Sequence, residues 1–475
     1  METLNHDLIS IRDLSREDID FLVREAQRLK GGNSLPLLKD KKVASLFFED
    51  STRTRVSFET AAASLGCYVN GFSSAEGTSV KKGEPLADTV RMFAGYGYDA
   101  LVMRHNLEGS ARFAADVLDI PVINGGDGSN GHPSQTLLDL LTISSAHGRI
   151  NGLKVALVGD LKYGRTVHSL LQALEHYDAE VWLTAPELVK MPEWRVADYQ
   201  QHTGKEIKIV ESLSEVVSNV DVLYMTRIQR ERFPEGLEGQ MEYERISNIY
   251  RLTPELIQEA KEKMIILHPL PRYKKQLEIS LGVDKLPQAH YLNQARDGLF
   301  MRQALLHHLL FGNWFSGKPK TVSEPESQWE ELSIPDGTKK GERMVYRLDN
   351  GTVIDHIEES QGKKVLEALG LRDYHETPLI LAQSLSSDRY GRKDVIGVQN
   401  RELTEQELSI LALVSARARV NIVRDGRVVR KGKIVPPAVV EGLVQCQNRK
   451  CITFPDNYEH APSKFYVEER EPLSL

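Results

Sequence analysis

Apolar residues in the first two thirds of the chain fall into two alternating patterns. Short unbroken runs, V-A-S-L-F-F (43–48), K-V-A-L-V (154–158), Val220–Met225 and Met264–Leu267, have the length of strands buried on both faces. Elsewhere apolar residues recur three and four positions apart. In V-S-F-E-T-A-A-A-S-L-G (56–66), Val56, Phe58, Ala61, Ala62 and Leu65 repeat at helical spacing and Gly66 marks the stop. T-V-H-S-L-L-Q-A-L-E-H-Y (166–177), residues 250–263 and residues 293–312 predict further helices. Strands alternating with helices imply parallel sheets covered on both faces. Two such blocks predict two doubly wound α/β domains with a cleft between them.

The pattern breaks near residue 316. The stretch 316–341 is rich in Pro, Ser, Gly and charge without an apolar period, and reads as a linker. Residues 342–435 then show short strands and two helices, a small α+β module, and residues 436–475 read as an irregular tail. A length of 475 residues fits about three domains. The net charge of −7 argues against a protein that coats nucleic acid, which needs a basic surplus. No apolar run approaches the ~20 residues of a membrane span, and the N-terminus lacks a signal-like core. Three cysteines, Cys67, Cys446 and Cys451, give no disulfide framework. The expectation is a cytoplasmic protein with no membrane or nucleic-acid partner.

Candidate chemistry sits where strands pass into helices. E-D-S-T-R-T-R (49–55) puts Ser51, Thr52 and Thr54 hydroxyls and the Arg53 guanidinium at a helix start, where unpaired N–H groups favour anions. The plainer reading is that Ser51 and Thr52 cap a helix and the arginines are solvated. G-D-L-K-Y-G-R-T (159–166) nearly spells a nucleoside-triphosphate loop, but Arg165 stands where that loop needs lysine. Arg104 and His105 follow an apolar strand. His132 and Gln135 open another helix, although a lone histidine is more often a structural hydrogen-bonder. Arg227, Gln229 and Arg232 follow the strand at 220–225, and H-P-L-P-R (268–272) follows the strand at 264–267. Open α/β sheets bind ligands at these strand ends, and several arginines there imply a substrate with several negative charges. No Ser-His-Asp order and no metal-ligand cluster is apparent in this half.

F-F-E-D-S-T-R-T-R, S-V-K-K-G-E, M-R-H, G-D-G-S-N-G-H-P-S-Q-T-L-L-D, G-D-L-K-Y-G-R-T-V-H-S-L, M-T-R-I-Q-R-E-R and H-P-L-P-R, in this order, resemble the catalytic chain of the aspartate carbamoyltransferases over about residues 5–312. The resemblance implies a carbamoyl phosphate-binding domain at 1–145, completed by the 293–312 helix, and an aspartate-binding domain at 146–292. It implies transfer of the carbamoyl group of carbamoyl phosphate to the amine of L-aspartate, without a catalytic cofactor. Ser51, Thr52, Arg53 and Thr54 would hold the phosphate. Arg104, His132 and Thr54 would donate to the carbonyl oxygen, and Gln135 with the Leu270–Pro271 backbone would hold the amide. Arg165, Arg227 and Gln229 would bind the aspartate carboxylates, with Lys82 also at the aspartate. Ser79 and Lys82 match a mobile loop that reaches a neighbouring subunit's site, which implies a trimer or a pair of trimers. Glu49 matches the acidic residue that pairs with Arg165 and Arg232 on closure. Ornithine-using relatives are the near rival; they typically carry H-C-L-P in the late loop, where this chain has H-P-L-P, and Arg227 with Gln229 favours a substrate with a second carboxylate over ornithine, whose cation a guanidinium repels. A silent nucleotide-binding regulator is a rival of another class. The chain departs from the family at Tyr273-Lys274-Lys275-Gln276-Leu277, where V-D-E-I is usual.

N-G-T-V-I-D-H-I (350–357), S-S-D-R-Y-G-R-K-D-V-I (386–396) and A-R-V-N-I-V-R-D-G-R-V-V-R-K (418–431) resemble the regulatory chain of the same enzyme over about 343–467. Asp355, His356, Lys393 and Lys431 match its contacts to a nucleoside triphosphate. Without the resemblance they would read as surface charge. Cys446 and Cys451 match the first pair of the family's four zinc cysteines; the second pair is not present, so 436–475 reads as a remnant of the zinc domain. Two thiolates do not close a tetrahedral site, even with His460 as a third ligand, and zinc is not expected. A covalent linker of roughly 30 Å flexible reach would take over the docking that zinc serves in unfused enzymes.

Overall fold

The computed structural model describes residues 6–475 apart from 229–232, 234, 275–276, 314, 317–328, 335–347, 372–377, 388–390, 468, 471–472 and 475. It divides into two compact units, one of residues 1–319 with 447–461 and the other of 320–446 with 462–475.

The first unit begins with helix α1 (Arg16–Lys30), then β1 (Lys42–Phe47), α2 (Thr52–Ser64), β2 (Tyr68–Phe72), α3 (Leu86–Gly95), β3 (Ala100–His105), α4 (Ser110–Asp116), β4 (Val122–Asp127) and α5 (Pro133–His147). It continues through β5 (Lys154–Val158), α6 (Arg165–Leu174), β6 (Glu180–Thr184), α7 (Glu193–Thr203), β7 (Lys208–Ile209), α8 (Leu213–Asn219), β8 (Val222–Met225), α9 (Leu237–Ile249), α10 (Pro254–Ile257), β9 (Ile265–Leu267) and α11 (Tyr291–Leu310). Two parallel sheets result, in the orders β2-β1-β3-β4 and β7-β6-β5-β8-β9. Each is doubly wound, as the alternation predicts. The order reverses between β1 and β3 in one sheet and between β5 and β8 in the other. Crevices open at such switch points beyond the carboxyl ends of the strands. One apolar core runs through both sheets, joining Phe47 and Val102 of the first to Leu157, Tyr224 and Leu267 of the second. Helix α5 is buried on every side from Pro133 to Ile143, and α11 packs on α1, α2 and α5.

Three expectations change. The helix read over 250–263 shrinks to α10: Leu252 is drawn into a bridge with Ile279, and the polar residues after Ile257 turn the chain into β9. Helix α9 was not foreseen; Leu237, Met241 and Ile249 are exposed while Tyr243 and Ile246 are buried, so apolar residues on both faces blur the period. Helix α2 starts at Thr52, four residues earlier than its apolar period, which puts Thr52–Thr54 in its first turn.

Within the first unit, the 447–461 stretch is ordered against α3 and α4. Glu108 N–H donates to Lys450 O (2.8 Å), Ile452 N–H donates to Glu108 O (2.8 Å), and Leu86 N–H donates to Glu459 Oε2 (2.6 Å). Ile452 is buried in the apolar cluster beneath.

The second unit holds β10 (Trp329–Glu331), β11 (Gly351–Glu358), α12 (Gly362–Ala368), β12 (Leu379–Ser387), β13 (Gly391–Gln399), α13 (Glu405–Val414), β14 (Arg419–Arg424) and β15 (Arg427–Ile434). The strands form a sheet in the order β10-β15-β14-β11-β13-β12, with every pairing antiparallel. Part of the expected linker is therefore sheet. Trp329 lies across Gly432, where a Cβ would come 2.3 Å from the indole, and the Arg430 guanidinium stacks 4.3 Å from the ring centroid. At the other end of that stretch, Ser316 N–H donates to Asp18 (3.1 Å) in the first turn of α1.

Candidate active site

The two switch points face one cleft of about 680 Å³. From the first sheet come Ser51–Thr54 after β1 and Arg104 at the end of β3; from the second come Gly164–Thr166 after β5 and Thr226–Arg227 after β8. The 268–271 loop after β9 closes one side.

Ser51 is the N-cap of α2, yet its side chain makes no capping bond. The plain reading of Ser51 as a capping side chain is therefore not what the structure has, and its hydroxyl stands at a helix start, where backbone N–H groups favour anions. Thr54 is buried and sits 3.4 Å from His132 Nε2. His132 is the N-cap of α5, and its ring is held on the other side by Ser134 Oγ at 3.4 Å. Burial, reinforced by Arg165, Arg104 and Arg302, pushes its pKa well below the ordinary histidine range. It is a neutral donor at physiological pH.

Glu49 bridges two arginines. Arg104 Nη2 donates to Oε1 (2.7 Å), Arg165 Nη2 donates to Oε1 (3.0 Å), and Arg165 Nη1 donates to Oε2 (3.1 Å). Burial opposes the Glu49 charge, but the two guanidiniums outweigh it and hold its pKa below the usual carboxylate range. The partner is therefore Arg104 together with Arg165; Arg232, the other partner expected, lies outside the described residues. Burial also drops the Arg104 pKa to about 10, with Arg165 adding repulsion. Both guanidiniums lie on Gly126 (φ +118°), where a Cβ would come 3.2 Å from Arg165 Cζ and 3.3 Å from Arg104 Nη1. Gly159 (φ +111°) plays a similar part between β5 and β8, since a Cβ there would meet Thr226 O at 2.5 Å.

The late loop is held from below. Leu270 N–H donates to His268 Nδ1 (2.8 Å), so His268 carries its proton on Nε2, which meets Glu278 Oε1 at 2.8 Å. Tyr273, in the departure from the family pattern, donates its N–H to Glu278 Oε2 (3.1 Å), and its ring lies 5.8 Å from the Arg227 guanidinium.

Of the residues expected at the site, Glu49, Ser51, Thr52, Arg53, Thr54 and Arg104 line the cleft. So do His132, Gln135, Arg165, Arg227, Leu270 and Pro271. Ser79 and Lys82 do not; they sit exposed on a 3-10 turn. Gln229 lies outside the described residues. His105 turns away and accepts from Leu107 N–H (3.0 Å). Sequence reading missed Arg302 and Gln294 of α11, which also reach the cleft; their signal was a guanidinium and an amide inside an apolar helix.

Residues 6–145 match the family model for the aspartate/ornithine carbamoyltransferase carbamoyl-P binding domain, and residues 151–309 match that for the Asp/Orn binding domain. The aspartate carbamoyltransferase catalytic subunit of Thermococcus onnurineus is 50% identical over 311 residues, covering 64% of this chain and 97% of the relative. The chain belongs to the aspartate carbamoyltransferase family. The Chromobacterium violaceum catalytic subunit is 49% identical over 303 residues, again covering 64% of this chain and 97% of the relative. Among solved structures, the M. jannaschii catalytic subunit matches with a TM-score of 0.59 at 43% identity, covering 65% of this chain and 99% of that one. The Trypanosoma cruzi aspartate transcarbamoylase in complex with carbamoyl phosphate and aspartate matches with a TM-score of 0.58 at 39% identity, covering 64% and 95%. Residues 343–435 match the allosteric domain, and 438–475 the metal binding domain, of the aspartate carbamoyltransferase regulatory chain. Catalytic and regulatory parts are thus fused in one polypeptide.

In the second unit, Asp355 accepts from Lys393 Nζ (3.1 Å), and His356 beside it has φ +64°. Burial opposes the Asp355 charge, but His356 and Lys393 pull its pKa down to about 2. Register places Asp355, Arg419 and Lys433 in one row across the sheet, and Val353, Asn421 and Lys431 in the next row of the same face. The four expected effector residues therefore lie on or beside one charged face.

The residues of 438–475 do not fit a four-thiolate metal site. Only Cys446 and Cys451 fall there, neither in a disulfide, and Cys451 Sγ lies 3.2 Å from Thr453 Oγ1 beside buried Ile452. Among the described residues, the one trio with metal-ligand geometry is elsewhere, Glu175, Asp198 and His202, and the Arg12 guanidinium already pairs with both of its carboxylates.

Proposed function

We propose that the chain transfers the carbamoyl group of carbamoyl phosphate to L-aspartate, giving N-carbamoyl-L-aspartate and phosphate. The observation that carries this reading is the convergence on one cleft of an uncapped Ser-Thr-Arg-Thr helix start, buried Arg104 and His132, and the two arginines Arg165 and Arg227. Phosphate binds Ser51, Thr52, Arg53 and Thr54. The carbonyl oxygen takes Arg104, neutral His132 and Thr54. Gln135 and the Leu270–Pro271 backbone accept from the amide. Arg165 and Arg227, with Gln229, take the aspartate carboxylates, and the two guanidiniums would repel ornithine's ammonium.

The neutral amine of aspartate attacks the carbamoyl carbon, and negative charge grows on the carbonyl oxygen. Donors already aimed at that oxygen lower the barrier; losing one costs about 10²–10³ in rate. The carbon–oxygen bond to phosphate then breaks, and the departing phosphate, still on Arg53 and the helix start, is a base within reach of the amine proton. Holding both substrates in contact supplies much of the remaining acceleration.

The 343–435 domain is the allosteric part, and its effector is a nucleoside triphosphate held by Asp355, His356, Lys393 and Lys431. Lys82 and Ser79 serve a neighbouring subunit's cleft, which is why they stand exposed and away from their own, and the assembly is a trimer or a pair of trimers. No zinc is bound, and the protein works in the cytoplasm. The deciding experiment is carbamoyl transfer by the purified chain with aspartate or ornithine, with and without nucleoside triphosphates. Aspartate-only transfer with a nucleotide-shifted aspartate curve supports both halves. Ornithine preference refutes the substrate assignment, and an unshifted curve refutes the effector assignment.

A further inference from the structure

A glutamine amide is nearly symmetric in shape but not in chemistry: one end accepts, the other donates. For Gln135 to receive the NH₂ of a carbamoyl group, its oxygen has to face the cleft. Something must hold it that way round. One helical turn further along α5 lies Asp139, fully buried and not itself part of the cleft wall. Gln135 Nε2 donates to Asp139 Oδ1 at 2.8 Å. Oδ1 accepts whether or not Oδ2 carries a proton, so it takes the NH₂ end and leaves Gln135 Oε1 directed away from it.

The same oxygen sorts a second amide. Gln294 Nε2 of α11 donates to Asp139 Oδ1 at 2.6 Å, and Gln294 Oε1 accepts from His268 N–H at 2.8 Å. His268 opens the loop whose Leu270–Pro271 backbone forms the other side of the acyl pocket. Burial pushes the Asp139 pKa up to about 7, against the pull of Gln294, Gln135, Tyr224 and Arg302, which face it from α11, α5 and β8. Both acceptor walls of the pocket thus hang on one carboxylate.

We infer that Asp139 is a positioning residue that sets acyl specificity, by orienting Gln135 and the 268–271 loop so that the pocket presents acceptors and selects an –NH₂ over a –CH₃ or an –O⁻ on the acyl carbon. This rests on the carbamoyl phosphate reading of the cleft. A site built to bond an N–H rejects an analogue that lacks it, because its acceptors are left buried and unpaired.

The test uses the full chain as wild type, Asp139→Asn, Asp139→Leu, Asp139→Ala, Gln135→Ala and the Asp139→Leu/Gln135→Ala double variant. Each is assayed for kcat/KM with carbamoyl phosphate and for inhibition by acetyl phosphate, an analogue with methyl in place of the amide. A shift of melting temperature by inorganic phosphate checks that the cleft is intact. The expected result is a loss of about 10- to 100-fold in kcat/KM for carbamoyl phosphate on replacing Asp139 by Leu or Ala, with acetyl phosphate inhibition changed by less than about threefold. In the Gln135→Ala background the Asp139→Leu change should cost less than it does alone, because only the part carried by Gln294 and the 268–271 loop remains. Equal losses for both ligands, or additive losses in the double variant, overturn the inference. If Asp139→Leu does not fold, the smaller Asp139→Ala decides; Asp139→Asn, whose amide oxygen can still accept from both glutamines, should lose less than either. Wild type that transfers no carbamoyl group would overturn the functional reading and this inference together. Transfer with an unchanged preference in the variants would overturn only the inference.

Discussion

Arg104→Ala separates binding from catalysis in this cleft. The side chain is 12% exposed, its pKa is drawn down to about 10 by burial, and it is shared between Glu49 and the space where the carbonyl oxygen lies. A charged hydrogen bond made equally in ground and transition states contributes about 1.5–3 kcal/mol, a factor of roughly 10 to 150 that would appear in KM. A donor that gains strength as charge develops costs about 10²–10³ in turnover when removed. The phosphate end stays anchored by Ser51–Thr54 and Arg53, so ground-state binding has other supports. The expected outcome is kcat lower by about 10²–10³ with KM for carbamoyl phosphate raised no more than about 10-fold. Folding should barely change, because Glu49 keeps its two bonds from Arg165 and is 33% exposed. The assay is steady-state formation of carbamoyl aspartate with each substrate varied in turn, beside a thermal melt. A kcat within threefold of wild type would refute the oxyanion role, and a rise confined to the aspartate KM would mean Arg104 and Arg165 have exchanged tasks.

Arg227→Ala should mainly raise the KM for aspartate, since Arg227 approaches the cleft from the β8 end beside Tyr273; a normal aspartate KM would displace the acceptor site. The folded pKa of Glu49 lies below its ordinary value of 4.5, so its ion pairs stabilise the fold above that range and are lost as pH falls through the lowered value. The melting difference between wild type and Glu49→Gln should therefore be present at neutral pH and close as pH falls through the lowered value; a difference that grows on acidification would reverse the assignment. Metal analysis should find far less than one zinc per chain and a melting temperature indifferent to chelator; near-stoichiometric zinc would refute the misfit at Cys446 and Cys451. Asp355→Asn and Lys393→Ala should each weaken the nucleotide shift of the aspartate curve, read as effector concentration at half-response.

The sheets and the cleft were legible because their signals are local. The run Val43–Phe48 followed by S-T-R-T compresses strand, anion-binding turn and helix into a dozen residues. Arg165 was readable for the same reason, as a guanidinium placed at the start of α6. What escaped depends on distant partners. Asp139 and Gln294 are 155 residues apart, and neither shows a pattern until α5 and α11 cross. Helix α9 carries apolar groups on two faces, which erases its period. Strand β10 hid in a polar stretch, and its one signal was Trp329, which needs the bare Cα of Gly432 to lie flat on the sheet. Glu49 was recognised with one of its partners, Arg165; Arg104 was not foreseen beside it, because that company is set by Gly126, which lets two guanidiniums lie side by side over the backbone.

Ser316 is tied to Asp18 and Trp329 is already in β10, so only residues 317–328 join the anchored end of the catalytic part to the first strand of the regulatory sheet. That continuity changes what regulation depends on. A sensor supplied as a separate subunit is lost on dilution by mass action, and its ratio to catalytic sites follows the supply of two products. On one polypeptide that ratio is unity at every concentration, so dilution cannot produce a cleft without a sensor.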